Sequence, residues 1–287
     1  MPPIADRPFA FRPHEHLRRP QDFRRVYDFR RSLSDSRIIV YADGMPIVHG
    51  SVAAVVRARH ERRMRTWLSP RIECRMYAPL PLLTDAWRSR LESTGLPIVD
   101  TLDVGAESTH PFALHDAAIH AVQRDRERVE RELAERWCQD GDGILLVDGS
   151  IAGSETLATA RDIVGVIKSH RTLYVEGDAL QRLIRLARGQ RSSVVRVTSP
   201  KRSPVASWYL RLRDARGRDP LWGLVRVEIA DPGALSSTKA KRALSERADD
   251  VSRWVLAEAL PLAVPDARWD KMVYGVRDCE EFLRAIQ

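Results

Sequence analysis

At 287 residues and 44% hydrophobic content, the chain has enough apolar side chains for a normal core, which excludes wholesale disorder. The net charge of +8 comes from arginine, lysine being scarce; it suits a polyanion such as nucleic acid, although an Arg-rich genome composition gives the same balance. No apolar run is long enough to span a bilayer, and Met1-Pro2-Pro3-Ile4-Ala5-Asp6-Arg7 lacks the apolar stretch of a secretion signal. Cys74, Cys138 and Cys279 show neither disulfide nor metal-ligand spacing, so a cytoplasmic location is expected.

Residues 1–36 are basic and broken by prolines, with a short helix indicated around Pro20 to Ser32. They read as an arm that packs on the domain or touches a partner, and 37–287 as a single domain. Arg37-Ile38-Ile39-Val40-Tyr41 is a strand ending at Ala42-Asp43-Gly44. Ile47 to Val56 is a second, and Met64 to Tyr77 is β-rich with a break at Ser69-Pro70. A short helix is expected over Thr84 to Glu92. From Phe112 to Cys138 the apolar residues Ile119, Val122, Val129, Leu133 and Trp137 recur at three- and four-residue steps, predicting a long helix. Asp140-Gly141-Asp142-Gly143 stops it and leads into Ile144-Leu145-Leu146-Val147-Asp148, an apolar run typical of a strand buried on both faces. A second such run, Ile163-Val164-Gly165-Val166-Ile167, ends at Lys168.

Beyond it, a helix is predicted over Leu180 to Ala187, and strands over Ser192–Val197, Ser207–Leu212 and Leu221–Ile229, the last two as a hairpin. Thr238 to Leu260 is a long helix closed by Pro261 and Pro265. Met272 to Tyr274 reads as a short strand before a terminal helix carrying Cys279, Phe282 and Leu283.

Acids stand at telling places in this order. Asp43 ends the first strand, although Asp-Gly is equally a tight-turn dipeptide. Asp148 ends the strand after the long helix. On that helix, at 100° per residue, Arg126 falls inside the apolar stripe and Glu130 at its edge. Either they form an i,i+4 pair, or Glu130 faces inward for a functional reason. Three acids converging from strand, helix and strand would hold Mg²⁺ or Mn²⁺ through oxygen donors. Two such ions about 4 Å apart support phosphodiester hydrolysis, with Lys168 placed to hold the scissile phosphate or the attacking water. No P-loop, dinucleotide fingerprint or His/Cys cluster competes, and Ser150 lacks the Gly-x-Ser-x-Gly elbow of a hydrolase nucleophile. His115 and His120 read as structural, and His170 as a residue that could face the site. Arg191 and Arg211, beside strands, are candidates for phosphate contact or plain solvation. Trp208 and Tyr209 alternate, one expected in the core and the other able to stack on a base.

Ala42-Asp43-Gly44, the Glu130 helix, Leu146-Val147-Asp148-Gly149-Ser150 and Val164-Gly165-Val166-Ile167-Lys168-Ser169-His170 together resemble the NurA nucleases, an RNase H-like family that works with a HerA-type hexameric translocase in DNA end processing. Supporting stretches are Gly189 to Ser192, Ser207 to Leu212, Gly223 to Glu228 and Asp266 to Trp269. The resemblance implies an α/β fold, an RNase H-like mixed β-sheet flanked by helices. It further implies a Mn²⁺- or Mg²⁺-dependent deoxyribonuclease, acting as a homodimer with a HerA-like ATPase in DNA repair or antiviral defence. Asp43, Glu130 and Asp148 match the family's metal ligands. Where the family has Asp-Gly-Ser, Asp43-Gly44 here precedes Met45. Where it often has a C-terminal His, this chain offers Asp266 or Asp270, and Asp266 is the residue expected to complete the metal set. These two departures leave open an inactive nucleic-acid-binding or scaffold subunit with the same fold.

Overall fold

The structure is a computed structural model that describes residues 27–60, 63–102, 109–169, 173–233, 237–259 and 274–286. It divides into two compact units. One comprises Arg30–Arg57, Thr66–Ala134 and Cys279–Gln287; the described parts of the other lie in residues 27–29, Ala58–Arg65 and Glu135–Asp278.

The first unit is built on most of the long strands β1 (Tyr27–Ala42) and β2 (Met45–His60), with β4 (Arg71–Ala78) and β5 (Ile98–Asp100), in the order β5-β4-β2-β1. The short β3 (Arg63–Thr66) pairs with β2. The helix expected around Pro20 to Ser32 is therefore strand from Tyr27 onward, because pairing along a sheet overrides local helical spacing. Residues 20–26 lie outside the described residues. β2 and β4 run antiparallel with Val48 opposite Tyr77, and β5 joins β4 in parallel. Strand alternation gives each face its own helix. Ala42, Ile47, Met76 and Ala78 pack with Leu83, Trp87 and Leu91 of the stretch carrying α1 (Asp85–Glu92). The other face, with Gly50 and Tyr77, meets α2 (Pro111–Asp140): a Cβ on Gly50 would lie 2.7 Å from Val122. Tyr77 donates to Asp125 across 2.7 Å, and Arg128 bonds Glu73 of β4, so charged side chains fasten the rim of this contact.

The second unit carries β6 (Ile144–Asp148), β7 (Ile163–Ile167), β8 (Val195–Ser199), β9 (Arg202–Arg211) and β10 (Leu224–Ala230), ordered β6-β7-β10-β9-β8. β6 and β7 are parallel, with Asp148 opposite Val166, and the rest are antiparallel. The crossover between β6 and β7 contains a helix that no sequence period announces, α3 (Glu155–Thr159), capped by Ser154, whose hydroxyl accepts from Leu157 N. The predicted β9–β10 hairpin is present, Trp208 opposite Val227.

Helix α4 (Gly177–Ile184) starts and ends three residues before the predicted span. Its end is set from outside: the Arg211 guanidinium takes the carbonyls of Ile184 and Leu186, together with those of Pro220 and Trp222. Helix α5 (Thr238–Glu258) is capped by Ser237 and buries Ala248, Val251, Trp254 and Val255. Tyr274, expected at the end of a strand, opens α6 (Tyr274–Ile286), which buries Cys279 and Leu283. Among the described residues, no helix is long and apolar enough to cross a membrane.

Candidate functional site

The second unit holds two of the residues singled out from the sequence. β6 is apolar and buried from Ile144 to Val147, so its backbone is fixed before it reaches Asp148, the last residue of the strand. Lys168 stands just past β7, the parallel neighbour. Both side chains thus emerge at the carboxyl ends of adjacent parallel strands, where open α/β sheets place their chemistry. Lys168 Nζ lies 2.9 Å from Asp148 Oδ1, and each side chain is about four-fifths buried, at 20% and 21% exposure. At that depth the ion pair is held more firmly than one on open surface.

The turn after Asp148 is tied down by groups the sequence reading passed over. Gly149 has φ 135°, a backbone region costly for other residues, and its N–H donates to Val166 O at 3.0 Å. Gly165 lies beneath: a Cβ there would stand 2.8 Å from Gly149 O, so only glycine lets the turn come this close. Ser150 Oγ donates to Glu228 Oε2 at 2.8 Å, and Ile151 N donates to the same oxygen at 3.1 Å. Glu228, on β10, is 1% exposed, and its other oxygen pairs with Arg226 Nη2 at 2.9 Å. Arg226 lies 4.6 Å from the centre of the Tyr174 ring, and its Nε is buried without a hydrogen-bond partner. The available signal was two charges, Arg226 and Glu228, in the otherwise apolar strand Leu224 to Ala230, which is buried from Leu224 to Ile229.

Asp43 and Glu130 belong to the first unit. Asp43 (φ 51°) and Gly44 (φ 85°) are the two residues linking β1 to β2, and positive φ at both is the signature of a type I′ hairpin turn. The tight-turn alternative thus accounts for this dipeptide, and Asp43 is exposed. Glu130 is buried in α2 and paired with Arg126 at 3.4 Å, the i,i+4 arrangement considered from the sequence. Asp266, Asp270 and His170 lie outside the described residues.

Several candidates are overturned. Arg191 and Arg211 are not phosphate contacts: they are 4% and 0% exposed. Arg191 holds Asp249 and Ser245 of α5, and Arg211 holds four carbonyls. Burial pushes the Arg211 guanidinium below its ordinary pKa, with Asp214 and Asp219 partly compensating. Trp208 and Tyr209 are both buried, so neither is placed to stack on a base. Trp208 donates to Ser252 on one face of β9, and the Tyr209 hydroxyl accepts from Tyr174 N on the other. Alternation sends the two rings to opposite faces, and both faces are covered.

Among the described residues no group of three or more His, Cys, Asp or Glu side chains is gathered as a metal centre. They therefore do not by themselves form the cage the sequence implied: Asp148 contributes oxygen donors, and Lys168 shares them.

No protein-family model matches the chain, and no curated protein matches it. Among solved structures, the crystal structure of the NurA nuclease from Sulfolobus solfataricus is similar, with a TM-score of 0.52 over 96% of this chain and 81% of that chain, at 10% identity. The mixed α/β class expected from the sequence is borne out, and the fold is NurA-like. At this identity the likeness is one of fold.

Proposed function

We propose that the chain is a divalent-metal-dependent deoxyribonuclease. The observation that carries this reading is the Asp148–Lys168 pair at the carboxyl ends of two parallel strands, in a fold shared with a nuclease. In hydrolysis a water oxygen bonds to phosphorus while the bond to the leaving sugar oxygen breaks. The Lys168 ammonium is the group to hold a non-bridging phosphate oxygen, and the Asp148 carboxylate the one to orient what lies beside it. Mn²⁺ or Mg²⁺ would supply positive charge for the transition state and a more acidic bound water. Asp148 is its proposed donor here, with Asp266 proposed from the sequence as a further one.

DNA as substrate is supported by charge. Arg182, Arg185 and Arg188 follow one another at three-residue spacing along α4 and the turn after it, all exposed. A row of this kind suits a line of phosphates. Homodimerisation, a HerA-like hexameric ATPase as partner, and a place in DNA repair or antiviral defence belong to the same reading through the sequence resemblance.

The test is cleavage of labelled single- and double-stranded DNA under Mn²⁺ titration, by wild type, Asp148→Ala and Lys168→Ala. Loss of a transition-state contact is expected to cost about 100-fold or more in kcat, and a chelator to abolish cleavage. Equal cleavage by wild type and Asp148→Ala would reject the reading. A second reading, a non-catalytic nucleic-acid-binding or scaffold subunit, is favoured by Lys168 already countering the Asp148 charge. It predicts DNA retention without cleavage at any metal concentration.

A further inference from the structure

We propose that Glu228 is a positioning residue for Asp148, acting through the turn Gly149–Ile151. This rests on the nuclease reading and names a component of the same site on another strand. Asp148 is the last residue of β6, so its carboxylate direction depends on the backbone that leaves it. That backbone is held from three sides. The Gly149 amide is bonded to Val166 on β7 at 3.0 Å. The Gly149 carbonyl is seated over Gly165, where any side chain would displace it. Ser150 Oγ and Ile151 N both donate to Glu228 Oε2, at 2.8 and 3.1 Å.

Only the last of these uses a charge, and the charge is itself fixed. Glu228 is 1% exposed, and Arg226 holds its second oxygen at 2.9 Å. Arg226 is in turn packed over the Tyr174 ring at 4.6 Å. A buried carboxylate is costly unless its oxygens are satisfied. Here those contacts go to the turn after Asp148 on one side and to Arg226 on the other. The strand register places it there: Glu228 lies opposite Gly165 on β7, so the carboxylate reaches past a residue with no side chain. Glu228 does not touch the reacting atoms in this arrangement. It fixes the direction of the group that does, and a displacement of about 1 Å in a catalytic group can cost 100-fold in rate.

The experiment compares wild type with Glu228→Gln, Glu228→Ala and Ser150→Ala. Steady-state cleavage is measured at saturating Mn²⁺, and amide hydrogen exchange over Gly149–Ile151 in the same full-length proteins. Glutamine has a single acceptor oxygen: turned to Ser150 and Ile151 it faces its amide N–H groups to Arg226, and turned to Arg226 it faces them to the turn, so Glu228→Gln should lose kcat to a degree between wild type and Glu228→Ala. Glu228→Ala should lower kcat by roughly 10- to 100-fold with KM for DNA little changed, and speed exchange at Gly149 and Ile151. Ser150→Ala removes one of the two donors from a half-buried position without emptying the core, and should fall between wild type and Glu228→Ala. Wild-type kcat and wild-type exchange in folded Glu228→Ala would overturn the proposal. If wild type cleaves nothing, the nuclease reading fails, and the hold on the turn is read from exchange alone: unchanged protection in Ser150→Ala and Glu228→Ala overturns it.

Discussion

Asp43 and Gly44 both adopt positive φ in the shortest loop that can join two antiparallel strands. Asn-Gly fits that turn at least as well as Asp-Gly. The Asp43→Asn protein is therefore expected to unfold within about 0.5 kcal/mol of wild type in thermal denaturation. The same substitution removes a carboxylate, which makes it informative for the chemistry: lost cleavage at unchanged stability assigns Asp43 to the metal, and unchanged cleavage assigns it to the turn alone. Arg211 stands at the opposite extreme. It is the kind of residue that invites a phosphate-binding role from its position beside a strand, yet its guanidinium is spent on four backbone carbonyls inside the unit. A type and a place along the chain do not say whether an arginine meets solvent or the end of a helix.

At the scale of elements, α2 is fixed to its sheet by apolar packing at the centre and ion pairs at the rim. Gly50 is where the packing is tightest: an added Cβ would lie 2.6 Å from Tyr77 Cε2 and 2.7 Å from Val122 Cγ2. The Tyr77 ring has little room to turn away, because its hydroxyl is bonded to Asp125. Burial pushes the Tyr77 hydroxyl pKa up, and Asp125 adds to the rise, so the bond persists through the ordinary pH range. Gly50→Ala is expected to destabilise the protein by about 1–3 kcal/mol, measured by urea denaturation. An unchanged midpoint would mean that α2 shifts along the sheet freely, which its ties to β4 argue against. The helix itself was legible in the sequence from its three- and four-residue steps. α3 and β5 were not, since five and three residues are too short to show a period.

Across the whole molecule, two carboxylates, the half-buried Glu73 and the buried Glu258, give opposite responses to acid. Burial raises the pKa of Glu73, and Arg128, Arg75 and Arg71 outweigh it, so the net shift is downward. Its contribution to stability is complete above the ordinary carboxylate range and is lost as pH falls through the lowered value. Burial also raises Glu258, and there Arg59 only partly opposes it, so the net shift is upward. That contribution is complete below the ordinary carboxylate range and is lost as pH rises through the raised value. Acidification below about pH 4 should therefore release amide protection in α2, which Glu73 helps to fasten, before it does so at the Glu258 end of α5. Hydrogen exchange as a function of pH measures this, and the reverse order would contradict it. The sequence by itself determined the apolar strands ending at Asp148 and Lys168, the stripe of α2 and the α/β class, because each follows from a backbone period that a few adjacent residues encode, whereas it left the Asp43-Gly44 turn as one of two alternatives. Only the tertiary structure decided that Arg191, Arg211, Trp208 and Tyr209 are all buried, and that Glu228 reaches Ser150 from 78 residues away. Those facts depend on strand order and register, which bring together residues whose local patterns carry no sign of one another.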